Sequence, residues 1–372
     1  MRLNTALMNA FDHFAHLPDP RVERTKLYSM DALIFLTVSA VLCTCKAFTE
    51  IEHFAQLNLV WLQSHGHFKD GRIPTHDTLG RLFQRIDPDA FAQCFVHWVA
   101  QVTKIAPSEL IAIDGKCLRG SRDRYSGKEA ITLVSAWCNT NQLVLGQLKV
   151  ADKSNEITAI PALLQVLDLA GSIVSIDAMG CQKDLTTLVR ERKADYLFAL
   201  KGNQPDLFKA VQLAFVNNKP TSTHEDHDKG HGRIEIRTCD VLPASILAHL
   251  ALPWKDLRWL VRICSTRLKV LDGEPTEEVR FYISSHQAVA ARFNTLVRQH
   301  WGIENSMHWV LDVTFAEDAS RVRTGHADRN MATVRHTALN ICRLDKTPAM
   351  SLKFKRMAAA YSTEFRDKLL RL

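Results

Sequence analysis

No C-x-x-C pair occurs anywhere in this chain, and its nine cysteines, Cys43, Cys45, Cys94, Cys117, Cys138, Cys181, Cys239, Cys264 and Cys342, are odd in number and scattered. That pattern argues against a zinc ribbon and fits a reducing cytosol better than a disulfide scaffold. A long apolar run is missing too: between Asp31 and Lys46 lie 14 uncharged residues, too few to cross a bilayer and suited to a buried helix. Near the N-terminus, Asp12 and neighbouring histidines interrupt any apolar leader. Nor is the charge lopsided. Lysine and arginine number 47 against 40 acidic residues, a net +7 that admits a polyanion partner without demanding one. These absences lead us to expect a cytoplasmic protein with no membrane partner.

What is present is enough for a real core: 372 residues, 46% of them hydrophobic, which implies two domains or one core with an insertion and rules out wholesale disorder. Residues 1–105 read as helical, with long periodic segments from Asp31 to Ala55 and from Asp87 to Val102. Between them, Pro74 is followed by Thr75, His76 and Asp77, which predicts a helix start that presents basic side chains and free N–H groups, as phosphate-contacting helices do. An ordinary loop with an N-cap explains the same residues. Past Ala106-Pro107-Ser108 the grammar turns to strands at Leu110 to Asp114, Ile131 to Trp137 and Leu143 to Val150. A helix from Asn155 to Leu169, a strand ending at Asp177, a helix from Lys183 to Lys193 and a strand from Tyr196 to Leu200 come next. That is the order of an RNase H-like mixed sheet, although periodicity leaves other α/β orders open. From about 205 to 285 we expect a β-rich insertion: a helix near Pro205 to Asn217, a polar loop from Thr221 to Gly232, then three strand-like runs. The loop histidines 224, 227 and 231 match no common metal-ligand spacing.

Two short strands of one design deliver two carboxylates: Leu110-Ile-Ala-Ile-Asp114 and Ser172-Ile-Val-Ser-Ile-Asp177. Either aspartate alone is more often a turn former or helix cap. As a pair at strand ends, they stand where open α/β sheets place ligands. A third acid arrives on the stretch from Val297 to Asp312, which as a helix aligns His300, Glu304, His308 and Asp312 at i, i+4 spacing beside an apolar stripe. Two aspartates and a glutamate are hard oxygen ligands suited to magnesium or manganese, and two such ions about 4 Å apart can serve phosphodiester cleavage. Lys116, Arg119, Arg122, Arg124, Lys201 and Arg298 lie near these acids in the chain. Glu156, at a helix start, reads as a dipole partner or outlying acid. Trp301 and Trp309 suit core packing or stacking on a base.

With Asp19-Pro20-Arg21, PTHDT at 74–78, IAIDGKCLRGS, KSNEITAI, IDAMGCQKD, FALKGNQ, HGRIEIR, HWGIENSMHWVLDV and the Glu317-Asp318 pair before Arg321 and Arg323, nearly the whole chain resembles the DDE transposases of bacterial insertion sequences, in particular the H-repeat-associated proteins. The resemblance implies a metal-binding triad of Asp114, Asp177 and Glu304 holding two Mg2+ (or Mn2+) in an RNase H-like core. It also implies hydrolysis at transposon ends, then attack of the freed 3′-hydroxyl on target DNA. The implied partners are double-stranded DNA, as terminal inverted repeats and target, and a second copy in a homodimer on paired ends, in a nucleoid-associated setting. Residues 1–105 would bind DNA ends, 106–345 would form the catalytic domain, and 346–372 a basic helical tail. DNA contacts are expected from Lys116, Arg119, Lys201, Asn203, Gln204, His231, Arg233, Arg298 and His300. One departure stands out. Val297, His300 and Leu311 occupy positions where the wider clan places a tyrosine, an arginine and a lysine around its glutamate, so those phosphate contacts do not carry over; Arg298 or His308 are the substitutes. The rival readings are a DNA-binding protein whose catalysis has lapsed and a nuclease without strand transfer.

Overall fold

The computed structural model describes residues 10–125, 127–151, 154–230, 233–250, 252–269, 274–347 and 350–371. After α1 (Ala10–Phe14), the Ser29 hydroxyl accepts a hydrogen bond from the Ala32 amide and starts α2 (Met30–Leu42), whose residues from Ala32 onward are all buried. The continuous helix expected to Ala55 breaks after α2, where Thr44 sits at φ 79° and Glu50 reaches back to the Lys46 amide at 2.6 Å. A fresh helix, α3 (Phe48–Leu57), then begins and is followed by α4 (Leu59–Ser64). Thr75 caps α5 (His76–Arg85), and Asp87 caps α6 (Pro88–Val102).

The sheet starts with β1 (Leu110–Cys117), antiparallel to β2 (Thr132–Cys138), which is antiparallel to β3 (Leu143–Lys149). Helix α7 (Glu156–Val166) crosses to β4 (Ile173–Ile176), and α8 (Lys183–Glu191) crosses to β5 (Asp195–Leu200). Both β1–β4 and β4–β5 pairs are parallel, with β4 buried at every residue, which is why these strands are written as unbroken apolar runs. Strand β1 continues past Asp114 to Cys117, paired there with β2.

The expected insertion extends this same sheet. After α9 (Pro205–Asn217) come β6 (Ser222–Gly230), β7 (Arg233–Pro243), β8 (Trp259–Lys269) and β9 (Thr276–Ser284), and β9 pairs with β5, giving the strand order β3-β2-β1-β4-β5-β9-β8-β7-β6. The expected polar loop at 221–232 is therefore corrected: through Gly230 most of it is a strand, registered residue for residue on β7. It looked like a loop because it is the outermost strand and largely exposed, so its side chains are polar on both faces. At the opposite edge, the Asn340 side chain donates to the Val144 carbonyl at 2.8 Å and accepts from the Val144 amide at 2.9 Å, which satisfies the outward-facing β3 backbone.

Helix α10 (Ala290–His300) leads into a π-helical segment, Ile303–His308, then α11 (Trp309–Val313) and the long α12 (Ala327–Leu344). Helices α13 (Leu352–Tyr361) and α14 (Thr363–Leu370) return to the N-terminal helices: Arg366 is 1% exposed, donates to Asn58 at 2.9 Å and lies 4.4 Å from the Trp61 ring centroid. One apolar core accordingly reaches from α1 to α14, while α10 packs in a second cluster against the sheet. Among the described residues, no helix is long and apolar enough to cross a membrane.

Candidate active site at the ends of two parallel strands

The register of β1 on β4 pairs Ile113 with Ile176, so Asp114 and Asp177 are the next residues along two adjacent parallel strands. Such strands lie about 4.8 Å apart, which sets the two carboxylates side by side. Asp177 has just left β4, and its carboxylate accepts from the Gly180 amide at 3.1 Å.

The third acid is delivered differently from expectation. The stretch 297–312 is not one α-helix; after His300 it passes through the π-helical turn that carries Glu304. A π turn inserts one extra residue and re-aims the side chains beyond it, and such turns gather at functional sites. Gly302 permits it here, since a Cβ at that position would collide with the Asn139 side chain from the β2–β3 turn. The polar stripe still runs along the sheet edge. His300 Nδ1 lies 2.9 Å from Ser175 Oγ on β4, His308 Nδ1 lies 3.6 Å from Asp114, and Asp312 bonds Lys116 on β1. Glu304 is exposed between them, close enough to act on Asp114 electrostatically.

Burial, and then the neighbouring carboxylates of Glu156, Glu304 and Asp177, push the Asp114 carboxyl up to about 7, against a lowering contribution from the Gly115 amide. Burial holds His308 down at about 4, so its imidazole is neutral at pH 7 and its contact with Asp114 is not an ion pair. His300 is likewise pushed down to about 4 by burial. Glu156 belongs to this group of acids. Asn155 caps α7 through the Ile157 amide, and the Glu156 carboxylate then lies against the Cα of Gly115, where no side chain would fit. Its pKa is raised by burial and by Asp177. Glu156 at a helix start was readable, but nothing local in the sequence joined it to Asp114. Among the described residues, no group of three or more His, Cys, Asp or Glu side chains is drawn tightly enough to form a metal cage.

Beside the acids sits a compensated cluster that the sequence did not reveal. Lys116 Nζ binds Asp312 and, at 2.7 Å, Glu317, whose carboxylate also lies 3.9 Å from Arg335. Burial would raise Glu317, but Lys116, His336 and Arg335 outweigh it and hold the carboxyl below its ordinary value.

The residues expected to contact DNA fall into separate environments. Lys116 is 10% exposed and engaged as described, and Arg298 is paired with Asp228 and, at 2.8 Å, Asp226 of β6. His300 faces Ser175. Asn203 donates to the Ala178 carbonyl at 2.6 Å, and Gln204 to the Cys181 carbonyl at 2.9 Å, so both brace the turn after Asp177. Arg119 is 85% exposed, and Lys201 is exposed. His231 and the side chain of Arg233 lie outside the described residues. Trp309 is 59% exposed, while Arg280 covers the Trp301 ring at 4.5 Å.

Residues 105–341 match the family model described as Transposase DDE domain, and residues 11–99 match one described as DDE_Tnp_1-associated. The chain is 39% identical to "Putative transposase YncI" of Escherichia coli O157:H7, over 98% of this chain and 95% of that one. It is 38% identical to "H repeat-associated putative transposase YhhI" of Escherichia coli K12, over 98% of both. This chain belongs to the transposase DDE family. A solved piggyBac transposase synaptic complex with hairpin DNA superposes at TM-score 0.48 and 11% identity, over 97% of this chain and 80% of that one, too loosely to bear on the argument.

Proposed function

We propose that this protein is a DNA transposase in which Asp114, Asp177 and Glu304 form the catalytic triad, cleaving at transposon ends and transferring the freed strand into target DNA. The observation that carries the reading is the register that sets Asp114 beside Asp177, with Glu304 bearing on the same carboxyl. The donor set fits divalent magnesium or manganese: the oxygens are hard, and the mutual repulsion that raises Asp114 is what a cation would relieve. When bound, two such ions stabilise the attacking and leaving oxygens of a phosphodiester. The chain's own part is to carry the two aspartates on adjacent strands and Glu304 on the π turn facing them, with Asn203 and Gln204 fixing the turn after Asp177 and neutral His308 lying 3.6 Å from Asp114.

In this reading β1 to β5 are an RNase H-like core, residues 1–105 and 106–345 divide end binding from catalysis, 346–372 closes the helical layer, and a homodimer holds paired ends. Arg119 and Lys201 are exposed cations that suit the DNA backbone. The test is a plasmid carrying the DNA that flanks the coding region. With Mg2+, wild type is expected to cut at the ends and join a pre-cut 3′-end to target, and Asp114→Ala to do neither. Binding without cutting in Mg2+ or Mn2+ would favour the lapsed, binding-only protein, and cutting without joining a plain nuclease.

A further inference from the structure

A groove of about 510 Å³ lies between α5 of the N-terminal helices and the segment 316–324 that joins α11 to α12. Its lining carries four cations, Lys46, Arg81, Arg321 and Arg323, against one carboxylate, Asp77. Arg323 is committed, since it donates to the Gly120 carbonyl at 2.8 Å. The other three are available. Among the described residues, neither the Lys46 ammonium nor the Arg321 guanidinium has an acidic partner, and both side chains are exposed. Arg81, 74% exposed, reaches the Asp77 carboxylate at 3.6 Å and donates through Nε to the Asp77 carbonyl at 3.3 Å, exposed contacts worth little in water that leave its terminal nitrogens open.

The groove is held in place relative to the acids. Its 316–324 wall is tied to β1 and the turn after it by three links: Lys116 to Glu317 at 2.7 Å, the Arg119 amide to Asp318 at 3.2 Å, and Gly120 to Arg323. On its other side, the His326 amide donates to the Gln84 carbonyl of α5 at 3.1 Å, and Gly325 packs so closely there that a Cβ would meet that oxygen at 2.6 Å. Three cations from three segments, the turn before α3, α5 and the 316–324 wall, line one groove, and that wall is fixed to the strand that carries Asp114.

We propose that this groove binds the phosphodiester backbone of duplex DNA beside the carboxylates through Lys46, Arg81 and Arg321, a role that rests on the transposase reading and gives its DNA a path. The test uses the full chain and a random-sequence duplex, with affinity measured across salt concentrations. Each phosphate contact contributes about 0.9 to the slope of log affinity against log salt. The triple variant Lys46→Gln, Arg81→Gln, Arg321→Gln is expected to flatten the slope by about 2 to 3 and to weaken binding at least about tenfold at 0.1 M salt. Arg321→Gln alone should flatten it by about 0.9 with unchanged thermal unfolding. A control that removes equal charge from Lys104, Lys209 and Lys219, none of which lines the groove, should keep the wild-type slope. A triple variant that behaves like wild type, or a control that weakens equally, overturns the groove and leaves the triad untouched. Failure of wild type to bind duplex DNA at all overturns both.

Discussion

Asp114 and Glu317 are both carboxylates withdrawn from water beside the same strand, and they end in opposite states. Around Glu317 the chain supplies Lys116, Arg335 and His336, and the carboxyl is held below its ordinary value despite burial. Around Asp114 it supplies Glu156, Glu304 and Asp177, and the carboxyl rises to about 7. The chain thus neutralises one buried acid with Lys116, two residues along β1 from Asp114, and at Asp114 it adds further acids instead. Under the proposed reading, a divalent cation would fill that deficit of positive charge from outside, as a structural ion pair does not.

The contrast can be broken at either end. Lys116→Met removes the cation shared by Asp312 and Glu317 and leaves two carboxylates without it, so urea unfolding should show a loss of about 3–5 kcal/mol. A loss below about 1 kcal/mol would mean that Glu317 does not depend on its partner. Asp114→Asn should have the opposite sign in metal-free buffer, a gain of about 1–3 kcal/mol above pH 7. The sign comes from the raised pKa: folding favours the protonated carboxyl, so the wild-type penalty is absent below the ordinary value of 3.8 and grows as pH rises through about 7. The gain should therefore vanish near pH 4, and a gain independent of pH would point to packing instead. Smallest is Gly115→Ala, whose methyl group meets the Glu156 carboxylate. It should cost about 1–2 kcal/mol, much of it recovered when Glu156→Ala is added, as a double-mutant cycle would register.

Legibility in the sequence depended on where each signal lies. Asp114 and Asp177 were readable because strands buried on both faces spell themselves as apolar runs ending in a polar residue. Strand β6 was not, because its place is set by pairing to β7 and its own residues are those of an exposed edge. The π turn at Glu304 escaped notice because one inserted residue barely alters an i, i+4 stripe, and what admits it is Gly302 against Asn139, a contact between distant segments. The Lys116–Glu317 pair spans 201 positions, with nothing local to announce it.

We propose that three acids from β1, the end of β4 and the π turn act as one cation site. Calorimetric titration of Mn2+ into the wild type and into Asp114→Asn, Asp177→Asn and Glu304→Gln tests it most directly. Each carboxamide is predicted to weaken binding at least about tenfold, ~1.4 kcal/mol. A Glu304→Gln protein that binds Mn2+ as tightly as wild type would contradict it.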